Sequence, residues 1–155
     1  MNSALLNQIT YKKIEAEIVP LQEKDYKVIK SGKRFRFNWN NEIQNQCFKL
    51  ILKDSKQIMG LMSLIKFKKE LWLKINLLES SEENIGKNKE YDRIAGCLIG
   101  YACRLAFIKG FDGCIALEPK TQLREHYINK YNMKNAGKHL FLEFKDSENV
   151  INEYL

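Results

Sequence analysis

The residues whose types and order suit chemistry lie between Leu71 and Met133. The alternating segment Leu71–Leu78 runs through Glu79 into a polar loop holding Lys87 and Lys89, and a helical run then opens with Tyr91–Asp92–Arg93–Ile94–Ala95–Gly96–Cys97. The first turn of a helix leaves backbone N–H groups without intrahelical acceptors, and small residues such as Ala95 and Gly96 let a ligand come close to them. Those donors, joined by Arg93, Lys87 and Lys89, suit a phosphate. The same small residues also suit tight helix–sheet packing, and both readings stay open at this point.

The elements that must position these residues follow from periodicity. Ile14, Ala16 and Ile18 alternate with polar residues, and the spacing predicts a first strand over 14–19, stopped by Pro20. Residues 25–42 read as a weak helix or ordered loop ending near Asn40–Asn41, with Phe35, Phe37 and Trp39 alternating as a buried strand face would. Residues 47–52, 58–67 and 71–78 are apolar and joined by the short polar turns Asp54–Ser55–Lys56 and Lys68–Lys69, which predicts an antiparallel meander. Ile94, Leu98, Ile99, Ala102 and Leu105 then recur at helical spacing over 92–109, and Gly110 stops the helix. A short strand over 114–117 follows, so the strand–helix–strand unit predicts a parallel pair. Thr121 is the expected N-cap of a helix over 122–131, 138–144 the last strand, and Asp146 or Ser147 the cap of a C-terminal helix. The fold class expected is α/β, a mixed and mostly antiparallel sheet with helices on both faces, forming a single domain over 1–155.

This order resembles the GNAT superfamily of acyl-CoA-dependent N-acetyltransferases. The likeness covers roughly residues 45–144. It rests on the strand ending at Glu79, the Gly96-containing helix ending at Gly110, the following Phe111–Asp112–Gly113–Cys114–Ile115–Ala116–Leu117, and Tyr127–Ile128–Asn129–Lys130–Tyr131–Asn132–Met133, which is similar to the family's tyrosine helix and its closing turn. The family's phosphate loop, Gln/Arg-x-x-Gly-x-Gly/Ala, falls on Glu90, Arg93 and Ala95 in one register and on Arg93, Gly96 and Leu98 in the other. The turn glycine is replaced by Asn132, which tolerates left-handed geometry. The two helices that shape the acceptor pocket in the family are here reduced to the segment 25–42.

The resemblance implies acetyl-CoA as cosubstrate, with no metal. Its pantetheine arm would pair with the backbone of Leu77 and Leu78, where that strand splays from Leu117, and a backbone N–H near Leu78 would polarise the thioester carbonyl. The amides of Arg93, Ile94, Ala95, Gly96 and Cys97, with Lys87 and Lys89, would hold the pyrophosphate. Tyr127 would protonate the leaving thiolate and Glu79 would take the amine's proton, directly or through water. The plain structural alternatives are an aromatic stripe for Tyr127 and Tyr131, a solvated strand-end carboxylate for Glu79, a surface position for His126 and sheet packing for Trp72.

The 155 residues suffice for one core. Lys and Arg number 26 against 19 Asp and Glu, a formal charge of +7 that suits a polyanion or a phosphorylated cofactor. Cys47, Cys97, Cys103 and Cys114 form no CxxC pair, and His126 and His139 lack ligand spacing, so zinc is not expected and four free thiols in the cytoplasm are. No apolar run approaches the about 20 residues of a membrane span. The expected partner is an amine acceptor, a small molecule or a protein, and a homodimer is compatible with the sequence. Two rivals remain: a non-catalytic interaction module on the same fold, and an enzyme acting on a nucleic-acid-linked amine such as aminoacyl-tRNA, drawn by the basic, aromatic stretch 27–39. The acids Glu42, Glu70 and Glu79 are candidates for lining an acceptor groove.

Overall fold

The apolar alternation of the central third builds the meander. The computed structural model describes residues 2–155. In chain order the elements are β1 (Asn2–Asn7), β2 (Lys13–Pro20), α1 (Glu23–Gly32), a 3-10 turn at Trp39–Glu42, β3 (Gln46–Leu52), β4 (Ile58–Phe67) and β5 (Trp72–Ser80). Next come β6 (Tyr91–Asp92), α2 (Ile94–Ile108), β7 (Ile115–Leu117), α3 (Arg124–Tyr131), β8 (Lys134–Ala136), β9 (His139–Leu142) and α4 (Phe144–Tyr154). The strands form one sheet in the order β6-β1-β2-β3-β4-β5-β7-β9-β8, antiparallel except where β5 runs parallel to β7. That parallel pair is the product of the crossover through α2.

Two apolar layers cover the sheet. On one face α2 buries Cys97, Leu98, Ile99, Ala102 and Cys103 in the main core, with α4 packed beside it. On the other face Ile29 of α1 and Trp39 close over Leu61 of β4. Trp72 stacks on Phe67 with ring centroids 4.4 Å apart, the sheet-packing role expected of it. Gly110 ends α2 at φ +80, a conformation that costs a side-chain-bearing residue energy.

Several local expectations are corrected. The segment at 14–19 is a strand, as expected, but it is β2 and is preceded by β1, and β6 and β8 are further strands without an alternation signal. The segment 25–42 holds both a helix and a 3-10 turn, and Phe35 and Phe37 lie in the irregular stretch between them rather than on a strand face. Thr121 does not cap α3, because a 3-10 turn at Thr121–Leu123 precedes it and satisfies donors through the carbonyls of Lys120 and Thr121. Neither Asp146 nor Ser147 caps α4. The N-cap is Glu143, while the buried Ser147 hydroxyl donates to the Gly113 carbonyl at 2.7 Å.

All four cysteines are free, and burial raises the Cys47, Cys97, Cys103 and Cys114 thiols, Cys103 to about 12. No described helix is long and apolar enough to cross a membrane.

Candidate active site

A bulge in β5 sets the site. Ser63 of β4 faces Leu77, but its neighbour Leu64 faces Ile75, so Asn76 is an extra residue on β5. The contact of β5 with β7 covers Leu73–Ile75 against Ile115–Leu117 and then ends. The two strands part at the bulge, and a cleft of about 200 Å³ opens between them. Phe37, Asn76, Leu77, Leu78, Leu117 and Tyr127 line it. Bulges bend a strand and release backbone groups from the ladder, which is what a cleft in mid-sheet requires.

The released groups are accounted for on one side. The Leu77 N–H donates to Ser63 Oγ at 3.1 Å, toward β4. Alternation along the strand then turns the Leu78 N–H toward the open edge, where β7 has already diverged. The Ser63 hydroxyl in turn donates to Glu42 Oε1 at 2.6 Å. The same oxygen accepts from Asn76 Nδ2 at 2.7 Å and from Asn45 Nδ2 at 3.1 Å. Glu42 is buried, which by itself raises a carboxyl, but the donors Ser63, Asn76 and Asn45 outweigh burial and hold it below its ordinary value. A buried carboxylate thus props the bulge from beneath.

Tyr127 forms one wall of the cleft. Its ring lies 5.9 Å from that of Tyr131, which lies 5.9 Å from that of Tyr154. The aromatic stripe and the cleft position are therefore both present. Burial raises the Tyr127 phenol, so it keeps its proton at neutral pH, and its hydroxyl bonds to no group among the described residues. His126 is exposed, as expected, with its ring 5.9 Å from that of Tyr127.

Glu79 is not a solvated strand end. It is 6 % exposed. Its carboxylate accepts from the Arg36 N–H at 2.6 Å, the Phe37 N–H at 3.3 Å and Trp39 Nε1 at 2.8 Å. The segment between α1 and the 3-10 turn has no ladder of its own, so these three bonds hold it on the sheet. Arg34 adds to this by donating to the Ile58 carbonyl at 2.8 Å and pairing with Glu83. Of the candidate acids, Glu42 and Glu79 are both buried but hold separate sets of donors, Glu79 under this segment and Glu42 at the bulge. Glu70 follows β4 in the turn that leads to β5 and takes no part.

The start of α2 differs from the expectation in its side chains. Arg93 is the N-cap at φ +81, a left-handed conformation that glycine adopts most readily. Its guanidinium is engaged by the end of α4. It donates to Glu153 Oε1 at 3.2 Å and to the Glu153 carbonyl at 2.5 Å, and lies 4.7 Å from the Tyr154 ring centroid. Gly96 is explained by packing, since an added β-carbon would strike the Tyr154 ring. The Cys97 N–H is spent on the Arg93 carbonyl at 2.9 Å. The N–H groups of Ile94, Ala95 and Gly96, in the first helical turn, have no intrahelical acceptor.

The charges around that turn are mixed. Asp92 lies 3.0 Å from Lys89 Nζ and 3.9 Å from Lys130 Nζ. Burial raises its carboxyl, but the Lys89 hydrogen bond, the Arg93 backbone N–H and the two lysine charges outweigh this and lower it. Lys87 is exposed in the loop before it. Among the described residues no group of three His, Cys, Asp or Glu side chains is placed to hold a metal.

Asn76, Ser63 and Lys130 are site residues the sequence reading missed. One signal was present. Ile75 and Leu78 both pack on the α2 side and Leu77 on the α1 side, so two apolar residues three apart share a face. A regular strand cannot do that, and the doubled Leu77–Leu78 marks the bulge.

The sequence matches no family model and no curated protein. Solved structures do match the fold. A spermidine N-acetyltransferase, a SpeG chimera from Vibrio cholerae and hSSAT, is 15% identical with a TM-score of 0.62, over 88% of this chain and 98% of that one. A GNAT family acetyltransferase from Brucella melitensis in complex with acetyl-CoA is 13% identical with a TM-score of 0.57, over 83% of this chain and 88% of that one. AtaT complexed with acetyl-methionyl-tRNAfMet is 11% identical with a TM-score of 0.55, over 87% of this chain and 98% of that one. With the bulged β5, its parting from β7 and the crossover helix between them, the chain has the fold of the GNAT acetyltransferases.

Proposed function

We propose that the chain is an acetyl-CoA-dependent N-acetyltransferase that passes the acetyl group directly to an amine. The observation that carries this reading is the three-residue parallel contact of β5 with β7, which ends at the Asn76 bulge and leaves a backbone edge open beside Tyr127. Acetyl-CoA, as cosubstrate, supplies an activated thioester carbonyl. The open Leu77–Leu78 edge would bind the pantetheine amides, and the Leu78 N–H would donate to the thioester oxygen, fixed in place before charge develops there. The first-turn amides of Ile94, Ala95 and Gly96 would face the diphosphate, with Lys89 and Lys130 beside them. Tyr127, protonated at neutral pH, would give its proton to the departing thiolate. The acceptor must attack as a free amine. Glu79 is engaged by three donors, so in this reading the amine's proton leaves to water in the open cleft and Glu79 positions the acceptor-side loop.

The acceptor is an amine on a small molecule or on a larger carrier. Proteins of this fold include a spermidine N-acetyltransferase and AtaT bound to acetyl-methionyl-tRNAfMet, which spans both kinds.

A second reading, an interaction module without catalysis, draws on one observation. Asp92 already faces the α2 N-terminus, and Arg93 is committed to Glu153. Calorimetric titration with acetyl-CoA separates the two. A micromolar dissociation constant, about −8 kcal/mol, is expected. Absence of binding at millimolar ligand overturns the acetyltransferase reading in favour of the second.

A further inference from the structure

Asn76 is an amide whose orientation chemistry fixes. Glu42 is an ionised carboxylate that can only accept hydrogen bonds, so the group of Asn76 facing it at 2.7 Å must be the NH2. The carbonyl Oδ1 is then the other end of the amide. No group among the described residues donates to it, and Asn76 is a half-buried lining residue of the cleft between β5 and β7. The cleft is open, so Oδ1 is an acceptor that water can reach and that a ligand donor can take over, with Glu118 and Lys120 also on the lining. The negative charge on Glu42 polarises the amide through the bonded N–H and strengthens Oδ1 as an acceptor. The cleft's cation, Lys120, sits 5.5 Å over the Phe37 ring and so satisfies itself on an aromatic face.

We propose that Asn76 Oδ1 is the subsite that receives the acceptor amine, taking one of its N–H groups, and that Glu42 is the positioning residue that orients and charges it. This rests on the acetyltransferase reading for its purpose but not for its chemistry. Asn76 and Leu78 are two residues apart on one strand, about 6–7 Å. Both line the same cleft, so an amine on Oδ1 and a carbonyl on the Leu78 N–H would share it. The ligand class is a primary amine, since an alcohol of the same shape offers one donor and no positive charge for Glu42 to favour.

The test is a titration with n-butylammonium and, as its neutral counterpart, n-butanol, run on the protein alone and on the protein saturated with acetyl-CoA. The ammonium ion is expected to bind saturably and about tenfold more tightly than the alcohol. Asn76→Ala should abolish that preference, and Glu42→Gln should reduce it about threefold or more. Glu42→Gln is the decisive variant. It keeps an oxygen for Ser63, Asn76 and Asn45 while removing the charge and placing an NH2 where Oε2 was, so it is read at unchanged urea stability, where a purely structural role would leave the preference intact. No saturable binding of the ammonium ion, or the same preference in wild type and both variants, overturns the proposal. Failure of acetyl-CoA to bind would instead count against the acetyltransferase reading, while the titration on the protein alone still decides the subsite.

Discussion

The ring of Tyr154 lies where a β-carbon on Gly96 would have to sit. This contact joins the last turn of α4 to the first turn of α2. It is also the platform for the Arg93 guanidinium, 4.7 Å from the same ring. The α2 N-terminus is thus braced from behind by the end of the chain.

Gly96→Ala is expected to destabilise the protein by about 1–2 kcal/mol, the overpacking cost less the helix propensity that alanine gains. Urea unfolding measures it. Tyr154→Leu combined with Gly96→Ala should show clear non-additivity, because the two positions share one space. Simple additivity would show that the ring moves aside without cost.

Glu79→Ala leaves the Arg36 and Phe37 amides and the Trp39 indole without their acceptor. A loss of about 2–3 kcal/mol in unfolding free energy is expected. Native stability with a large fall in turnover would return Glu79 to the role of base.

Tyr127→Phe removes a hydroxyl that bonds to no other described group, so the melting temperature should hardly move. Turnover is expected to fall about 100-fold, the low end for a general acid. Once an acceptor is in hand, steady-state kinetics decides this, and unchanged turnover removes Tyr127 from the mechanism.

Asp92→Asn takes a negative charge from the α2 N-terminus and frees Lys89 and Lys130. Acetyl-CoA should bind about threefold to fivefold more tightly, in keeping with a charge effect of up to about 1 kcal/mol at a helix end. Weaker binding by calorimetry would mean that Asp92 organises the two lysines for the ligand.

Glu42, Glu83 and Asp92 are held below their ordinary values of 4.5, 4.5 and 3.8. A carboxyl lowered by folding contributes stability that is complete above its unfolded value and lost as pH falls through the folded one. Burial lowers His126 and His139 as well, so the melting temperature should slip slightly below about pH 6.5 and fall steadily below pH 4.5, with the acid limb less steep in Glu42→Gln. A flat profile from pH 6 to pH 3 contradicts this.

What the sequence determined by itself is the local part. The meander β3–β4–β5, the helix α2 with its stop at Gly110, and the parallel crossover to β7 all follow from apolar periodicity and turn chemistry, which act between near neighbours. The left-handed Asn132, φ +60, was expected from the resemblance, which places it at a turn glycine whose geometry asparagine tolerates. Tertiary structure alone decided β1, β6 and β8. β6 and β8 are too short to carry an alternation, and β1 lacks a clear one, so each is defined by the strand it meets. It also decided the partners of the charged residues. Glu79 holds Arg36 from 43 positions away, Asn76 reaches Glu42 across 34, and Arg93 pairs with Glu153 across 60. A carboxylate, an amide or a guanidinium has the same local signature whether it faces water or a buried donor. Its role is set by what the folded chain brings within about 3 Å of it.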